Sequence, residues 1–314
     1  ILIWGLSYLL CLPICFALQI IFYSEINNSL KIAWHEVFPY SLSRVPAGFL
    51  LGFPAYIIPF FLIKAGNNSV YFLSALLVIQ TLNYLTDPLG QVFLPRSANW
   101  FETNAKENIS RLISAYYSLC FDAGILLIFL LISLASPITF LWFGRGYEES
   151  ATALRVLSVS IIPVLIFNPA RNILDGIEKK PLITHYLSVS SVVSLGLCYI
   201  LFYTGKLDTC SASSVIVACN CLIVAFVTIS ISRKIHIKIN FKNIFEMSVV
   251  GFLSGVFAHL ICKFGIHGSF LKSVIALLAS CTIAISLFIF WVQSRNPEWW
   301  LIIKQLYQNK KGEL

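Results

Sequence analysis

Apolar runs of twenty or more residues alternate with short polar connections along the chain. They predict spans at about 1–23, 38–64, 70–96, 113–143, 152–177, 182–204, 209–232, 244–264 and 269–293. A helix crosses the ~30 Å hydrocarbon core with about 20 residues. A barrel strand needs only about ten residues of alternating pattern, so runs of this length argue for helices. The connections are short, which makes neighbouring spans antiparallel and leaves no room between them for a soluble domain. The expected fold is an all-α integral membrane protein of about nine transmembrane helices.

Polar residues interrupt the apolar pattern at particular places. The stretch Val70–Trp100 carries Gln80, Asn83, Asp87 and Gln91 at steps of three, four and four, so on one helix they share a face. An uncompensated polar group in lipid costs kilocalories, so this face must meet other helices or water. Two readings stay open: hydrogen bonding that holds a bundle together, or the wall of a polar central cavity. Pro88 and Pro95 break the backbone ladder nearby. In the second span Arg44, Gly48 and Gly52 are four apart, and Tyr56 extends the same face. Gly48 and Gly52 form a G-x-x-x-G that permits close helix approach. Arg44 either snorkels to the headgroups or points into a cavity, where its planar fork suits phosphate. The fourth span carries Asp122, with Ser118 one turn earlier. The fifth carries Asn168, Arg171, Asn172 and Asp175, and Arg171–Asp175 reads as an i,i+4 ion pair at the surface. The sixth places His185, Ser188 and Ser191 roughly on one face; His185 reads as an interfacial, hydrogen-bonded histidine or a proton carrier. The last two spans are nearly free of charge.

Composition supports the membrane reading: 58% of residues are hydrophobic and 11% charged, against about 25% charged in soluble domains. Most of the nine Cys lie inside apolar segments and none forms a C-x-x-C pair, which favours packing over metal or disulfide roles. The net charge of +8 does not point to nucleic acid, because the cations alternate in a topological pattern. Of the 22 Lys and Arg, fifteen fall on one set of connections: Lys31; Arg96, Lys106, Arg111; Arg171, Lys179, Lys180; Arg233, Lys234, Lys238, Lys242; and Arg295, Lys304, Lys310, Lys311. The alternate set holds Lys64, Arg145, Lys206, Lys263 and Lys272. A cytoplasmic C-terminus follows. Ile1 opens directly into an apolar run and Met247 is the one Met, so an N-terminal part is expected to precede this chain, with an odd number of further spans. Residues 24–37 and 98–112 read as interfacial helices, and 232–243 as a basic segment against anionic headgroups. No H-E-x-x-H, G-x-S-x-G, P-loop or Cys/His ligand cluster is present, so neither enzyme, metal nor cofactor is expected.

Three stretches carry a resemblance: SRVPAGFLLGFPAYIIPFFL, YFLSALLVIQTLNYLTDPLGQVFLPRSA and FGRGYEESATALRVLSVSIIPVLIFNPARNILDGIEKKPLITH. The third has an F-G-x-x-Y-x-x-x-A-x-x-L-R-x-L start at Phe143, Gly144, Tyr147, Ala151, Leu154, Arg155 and Leu157, then Asp175-Gly176. Over about 38–232 the chain resembles the C-terminal lobe of polysaccharide and O-antigen flippases, in the multidrug/oligosaccharidyl-lipid/polysaccharide exporter superfamily. The resemblance implies a MATE-like transporter of two six-helix lobes. Residues 1–23 would then be the last helix of the N-lobe, 24–37 a cytoplasmic linker, 38–232 the C-lobe and 233–243 a basic loop. Residues 244–293 would be two extra helices and 294–314 a cytoplasmic tail. Five upstream helices would be missing, an odd number. It implies a multi-pass protein of a bacterial or archaeal inner membrane. Its partners would be membrane lipids and a lipid-linked oligosaccharide on an undecaprenyl-pyrophosphate carrier, moved to the outer leaflet by alternating access. Some members couple this to H+ or Na+. Candidate cavity residues are Arg44 for pyrophosphate, Gln80, Asn83, Asp87 and Gln91 for sugar hydroxyls or a coupling cation, and Asp122. The alternatives are a cation-coupled multidrug antiporter of the same fold and a membrane-embedded enzyme such as an O-antigen polymerase. The short outer connections count against the polymerase.

Overall fold

The structure is a computed structural model that describes residues 44–103, 106–178, 180–237, 241–265, 274, 278–286 and 289. Two units are distinguished, Ile1–Pro46 and Ala47–Leu314. Of the first, only Arg44–Pro46 is described, as a turn entering the first helix. The helices are α1 (Val45–Lys64), α2 (Ser69–Gln80), α3 (Asn83–Glu102), α4 (Lys106–Phe143), α5 (Glu148–Leu157), α6 (Ile161–Ile177), α7 (Leu182–Tyr203), α8 (Thr209–Ser232) and α9 (Phe241–Gly265). A single 3-10 turn, Ser158–Ser160, joins α5 to α6. The described residues contain no strand.

Among the described residues, six segments are long and apolar enough to cross a membrane: α1, Ile109–Phe143 in α4, Glu148–Ile177 across α5 and α6, α7, α8, and Asn243–Ile261 in α9. The protein is therefore an all-α, multi-pass membrane protein. The expected span 1–23 lies outside the described residues, and so does most of 269–293. The expected span 70–96 is divided into α2 and α3 at Thr81–Leu82. The Thr81 hydroxyl donates to the Val78 carbonyl at 2.7 Å, and such back-bonding bends helices. The ladder also tightens there, with Leu82 N–H on Ile79 and Tyr84 N–H on Thr81. Residues 98–112 do not form the expected separate interfacial helix. Residues 98–102 extend α3, and 106–112 open α4. At 38 residues, α4 is roughly 57 Å long at 1.5 Å per residue, longer than the hydrocarbon core.

Local chemistry sets the ends. Gly66 and Gly205, at φ 78° and 66°, adopt the left-handed conformation that stops α1 and α7. Asn68 caps α2 by accepting from Val70 N–H at 3.0 Å. Asp208 and Ser211 form a reciprocal capping box on α8. At this end of the bundle the Asn67 amide donates to the Leu207 carbonyl at 2.5 Å, joining the two glycine loops. At the opposite end Lys234 pairs with Glu178 at 2.6 Å, lies over the Phe101 ring, and is followed by His236, whose carbonyl accepts from Ser110.

The combined α5–α6 span is the most buried and α1 the least. The main interfaces are α3 with α6, α4 with α9, and α7 with α8; α1 has no comparable interface with any described helix. The α3–α6 seam is built of small residues. A Cβ on Gly176 would stand 2.5 Å from Ser97 Oγ and 2.9 Å from the Leu94 carbonyl, so the backbones approach closely here.

Candidate functional site

Two helices with internal prolines, α1 and α6, help frame a cavity of about 470 Å³ in the middle of the bundle. Pro54 in α1 has no N–H to offer the Leu50 carbonyl, which instead accepts from Ser191 on α7 at 3.4 Å. Pro169 in α6 likewise orphans the Leu165 carbonyl, which accepts the buried Tyr116 hydroxyl at 2.5 Å. Freed carbonyls at membrane depth thus find hydroxyl donors on neighbouring helices.

The cavity is lined by α1 (Gly48 to Ala55), the end of α2, the start of α3, and parts of α6, α7 and α8. Its charged lining groups are Asp87 and Arg171. Gln80, Asn83, Asn168, Ser190 and Asn220 add neutral polar groups to walls that are otherwise mostly apolar.

Asn168 organises one side. Its Nδ2 donates to Asp87 Oδ1 at 2.6 Å, and lies 3.3 Å from both Asn83 Oδ1 and Thr86 Oγ1. The Thr86 hydroxyl spends its own hydrogen on the Asn83 carbonyl, leaving its lone pairs for Asn168. Both Asn168 and Thr86 are buried, so this network also pins α3 to α6.

Arg171 lies one turn further along α6. The surface pair with Asp175 does not form: among the described residues Arg171 makes no ion pair, and its buried Nε has no hydrogen-bond partner. It also makes none with Asp87 across the cavity.

The predicted site residues divide. Gln80, Asn83 and Asp87 meet in the cavity, although the helix they were placed on is interrupted. Thr81 and Leu82 keep near-helical dihedrals (φ −60°, ψ −24° and φ −65°, ψ −24°), so the facing direction is nearly preserved across the break. Gln91 is exposed and outside the lining. Asp122 is 3% exposed, lies outside the cavity lining, and accepts no hydrogen bond among the described residues. Arg44 is half-buried and belongs to the first unit. Among the described residues no helix packs against the G-x-x-x-G: a Cβ at Gly48 would meet nothing within 4 Å there and one at Gly52 only Tyr56 of the same helix, and both glycines line the cavity. His185 is exposed, and Ser188 bonds back to Thr184 within its own helix.

Asn168 and Arg171, whose polar run suggests a surface ion pair, instead line the cavity. Their i,i+3 spacing on the same helix as Asp87's partner face was the available signal. Asn172 and Asp175, which share that polar run, drew both residues toward a surface interpretation.

Compared with known proteins, the chain matches no family model, and no curated protein is significantly similar to it. Fold and site define a class: a multi-pass α-helical membrane protein with a cavity of mixed charge between its helices.

Proposed function

We propose that the protein is a flippase. It moves a lipid-linked oligosaccharide of the undecaprenyl-pyrophosphate type from the inner to the outer leaflet by alternating access, for polysaccharide or O-antigen biosynthesis. The observation that carries this reading is Arg171: a guanidinium uncommitted to any described side chain, facing a cavity rich in amides. A planar fork binds phosphate oxygens bidentately. Gln80, Asn83 and Asn220 offer donors and acceptors suited to sugar hydroxyls. The cavity volume suits a charged headgroup, with the polyprenyl tail left in the bilayer. The Asp87 carboxylate in the same wall favours a second reading, a cation-coupled drug antiporter of the same fold.

The test is expression in a bacterial strain that lacks its own O-unit flippase. The protein is expected to restore surface polysaccharide. Arg171→Ala, at equal membrane abundance, is expected to abolish restoration, and Arg171→Lys to recover part of it as a point charge. Restoration by all variants would return the polar lining to helix packing. Drug efflux without polysaccharide would establish the antiporter.

A further inference from the structure

Gly144, Tyr147, Ala151 and Arg155 contribute nothing to the central cavity. They help line a second one, of about 620 Å³, where α4 ends and α5 begins. Gly144 and Gly146 hold φ of 87° and 95°, a tight turn with Arg145 between them. Tyr147 is a fixed wall, stacked on Phe143 with ring centroids 5.4 Å apart and edge-on to Tyr71 at 5.8 Å. Arg155 Nη2 donates to Ser136 Oγ on α4 at 2.9 Å. The remaining guanidinium N–H groups of Arg155 have no partner among the described residues. Neither Arg155 nor Arg145 makes an ion pair among them.

Depth makes the unpaired charge informative. Arg155 is seven residues beyond the start of α5, and Ser136 is seven before the end of α4. At 1.5 Å per residue their bond lies about 10 Å below the loop. The span Glu148–Ile177 has 30 residues and is about 45 Å long, so roughly 7 Å at each end stands outside a ~30 Å hydrocarbon core. The exposed Arg155 guanidinium thus sits where headgroups meet hydrocarbon. A cation at that level without a counter-charge is costly. The protein supplies none to it, and lipid phosphate is the anion found there.

We propose that this second cavity binds the phosphodiester of an anionic glycerophospholipid from the leaflet at its end of the bundle. Arg155 and Arg145 offer planar forks to phosphate oxygens, and the Ser136 hydroxyl keeps its own hydrogen for a further contact. The Glu148 carboxylate also lines the cavity, so the lining carries one net positive charge. One singly charged headgroup neutralises it, whereas a zwitterionic headgroup leaves it standing. Glu148 would accept from headgroup hydroxyls such as those of a phosphoglycerol. The acyl chains stay in the bilayer, an advantage that a free phosphate lacks. The site is separate from the central cavity and stands whichever solute is carried there.

The test uses the purified protein in detergent micelles. Phosphatidylglycerol or phosphatidylcholine is titrated in, the melting temperature is followed, and bound lipid is counted by native mass spectrometry. One site stabilises logarithmically above its dissociation constant, so the midpoint should climb further with phosphatidylglycerol than with phosphatidylcholine. Arg155→Ala is expected to weaken phosphatidylglycerol binding at least about tenfold, as loss of a charged hydrogen-bond partner does. Glu148→Gln removes the opposing carboxylate and should tighten it. Lys206→Ala, an exposed cation at the same end but outside the cavity lining, should leave it unchanged. Equal response to the two lipids overturns the proposal, as does an Arg155→Ala protein that binds as the parent does. Equal losses in Lys206→Ala and Arg155→Ala also overturn it, since the attraction would then be general. Inorganic phosphate that stabilises as strongly as the lipid, through Arg155, would replace the lipid with a soluble anion and overturn it too. Should Arg155→Ala fail to fold, Arg145→Ala in the exposed loop decides: unchanged phosphatidylglycerol affinity overturns the proposal alone.

Discussion

Pro169 and Tyr116 form a pair whose energetics can be separated. The proline removes the N–H that would satisfy the Leu165 carbonyl, and the Tyr116 hydroxyl takes its place. An unsatisfied buried carbonyl costs roughly 1–3 kcal/mol in soluble proteins, while membrane interhelical bonds average about 0.6 kcal/mol. Tyr116→Phe should therefore destabilise by about 1 kcal/mol, read as a lower melting temperature of the purified protein. Pro169→Ala restores the backbone donor. In that background Tyr116→Phe should cost less, giving a coupling of at least about 0.5 kcal/mol in a double-mutant cycle. Additivity would mean that Tyr116 contributes through packing alone. Asp208, outside the membrane span, offers a second check. The Ser211 N–H on its carboxylate, at 2.7 Å, holds the Asp208 carboxyl below its ordinary range. A depressed folded value means stability present above the unfolded value and lost as pH falls through the folded one. Asp208→Ala should cost about 1 kcal/mol at neutral pH. Asp208→Asn should keep most of the cap while removing its share of the acid sensitivity, as melting curves from neutral pH through the carboxylate range would show.

At the scale of elements, legibility followed local punctuation. The spans 182–204 and 209–232 match α7 (Leu182–Tyr203) and α8 (Thr209–Ser232) within a residue. Pro181, Gly205 and the Asp208–Ser211 box mark their ends by short-range chemistry. The span 70–96 shows no such mark at Thr81, because a threonine in an apolar run usually stays helical. The break there coincides with a hydroxyl bonded to the Val78 carbonyl. Tertiary contacts were less accessible still. The rotation of α6 that turns Asn168 and Arg171 inward is set by the Gly176–Leu94 approach, which spans α3 and α6. Gly176→Ala tests that seam. A methyl 2.9 Å from a backbone carbonyl cannot be relieved by a rotamer change, so overpacking should cost roughly 1–3 kcal/mol. Gly66→Ala, at a positive φ with open space around it, should cost only the local strain, about 1 kcal/mol. A Gly176→Ala protein as stable as the parent would show that α3 and α6 slide freely, and the Asn168 network would then not be rigidly placed.

For the whole molecule, the alternation of charge along the chain becomes a separation in space. Lys64, Arg145 and Lys206 lie beside the loops joined by Asn67 and Leu207. Arg111, Lys180, Arg233 and Lys234 lie at the end where Glu178, Phe101 and Ser110 converge. Positive residues favour the cytoplasmic side, so the second end is expected to face the cytoplasm. Single cysteines in a cysteine-free background decide this. Lys206→Cys, exposed at the first end, should react with a membrane-impermeant maleimide in intact cells. Arg233→Cys, exposed at the second, should react only after permeabilisation. The result also bears on the direction of the proposed transport. The central cavity's α1 lining begins at Gly48, three residues into the helix, and its α7 lining at Leu187, five residues in. Both helices start at the Arg233 end, whereas the α8 lining, Ile216 to Val224, sits midway along its helix, so the cavity is central and extends toward that end on the α1 and α7 side. With Arg233 inside, the proposed transport would bring headgroups to Arg171 from the cytoplasmic side. The inverse labelling would require the direction of transport proposed here to be reversed.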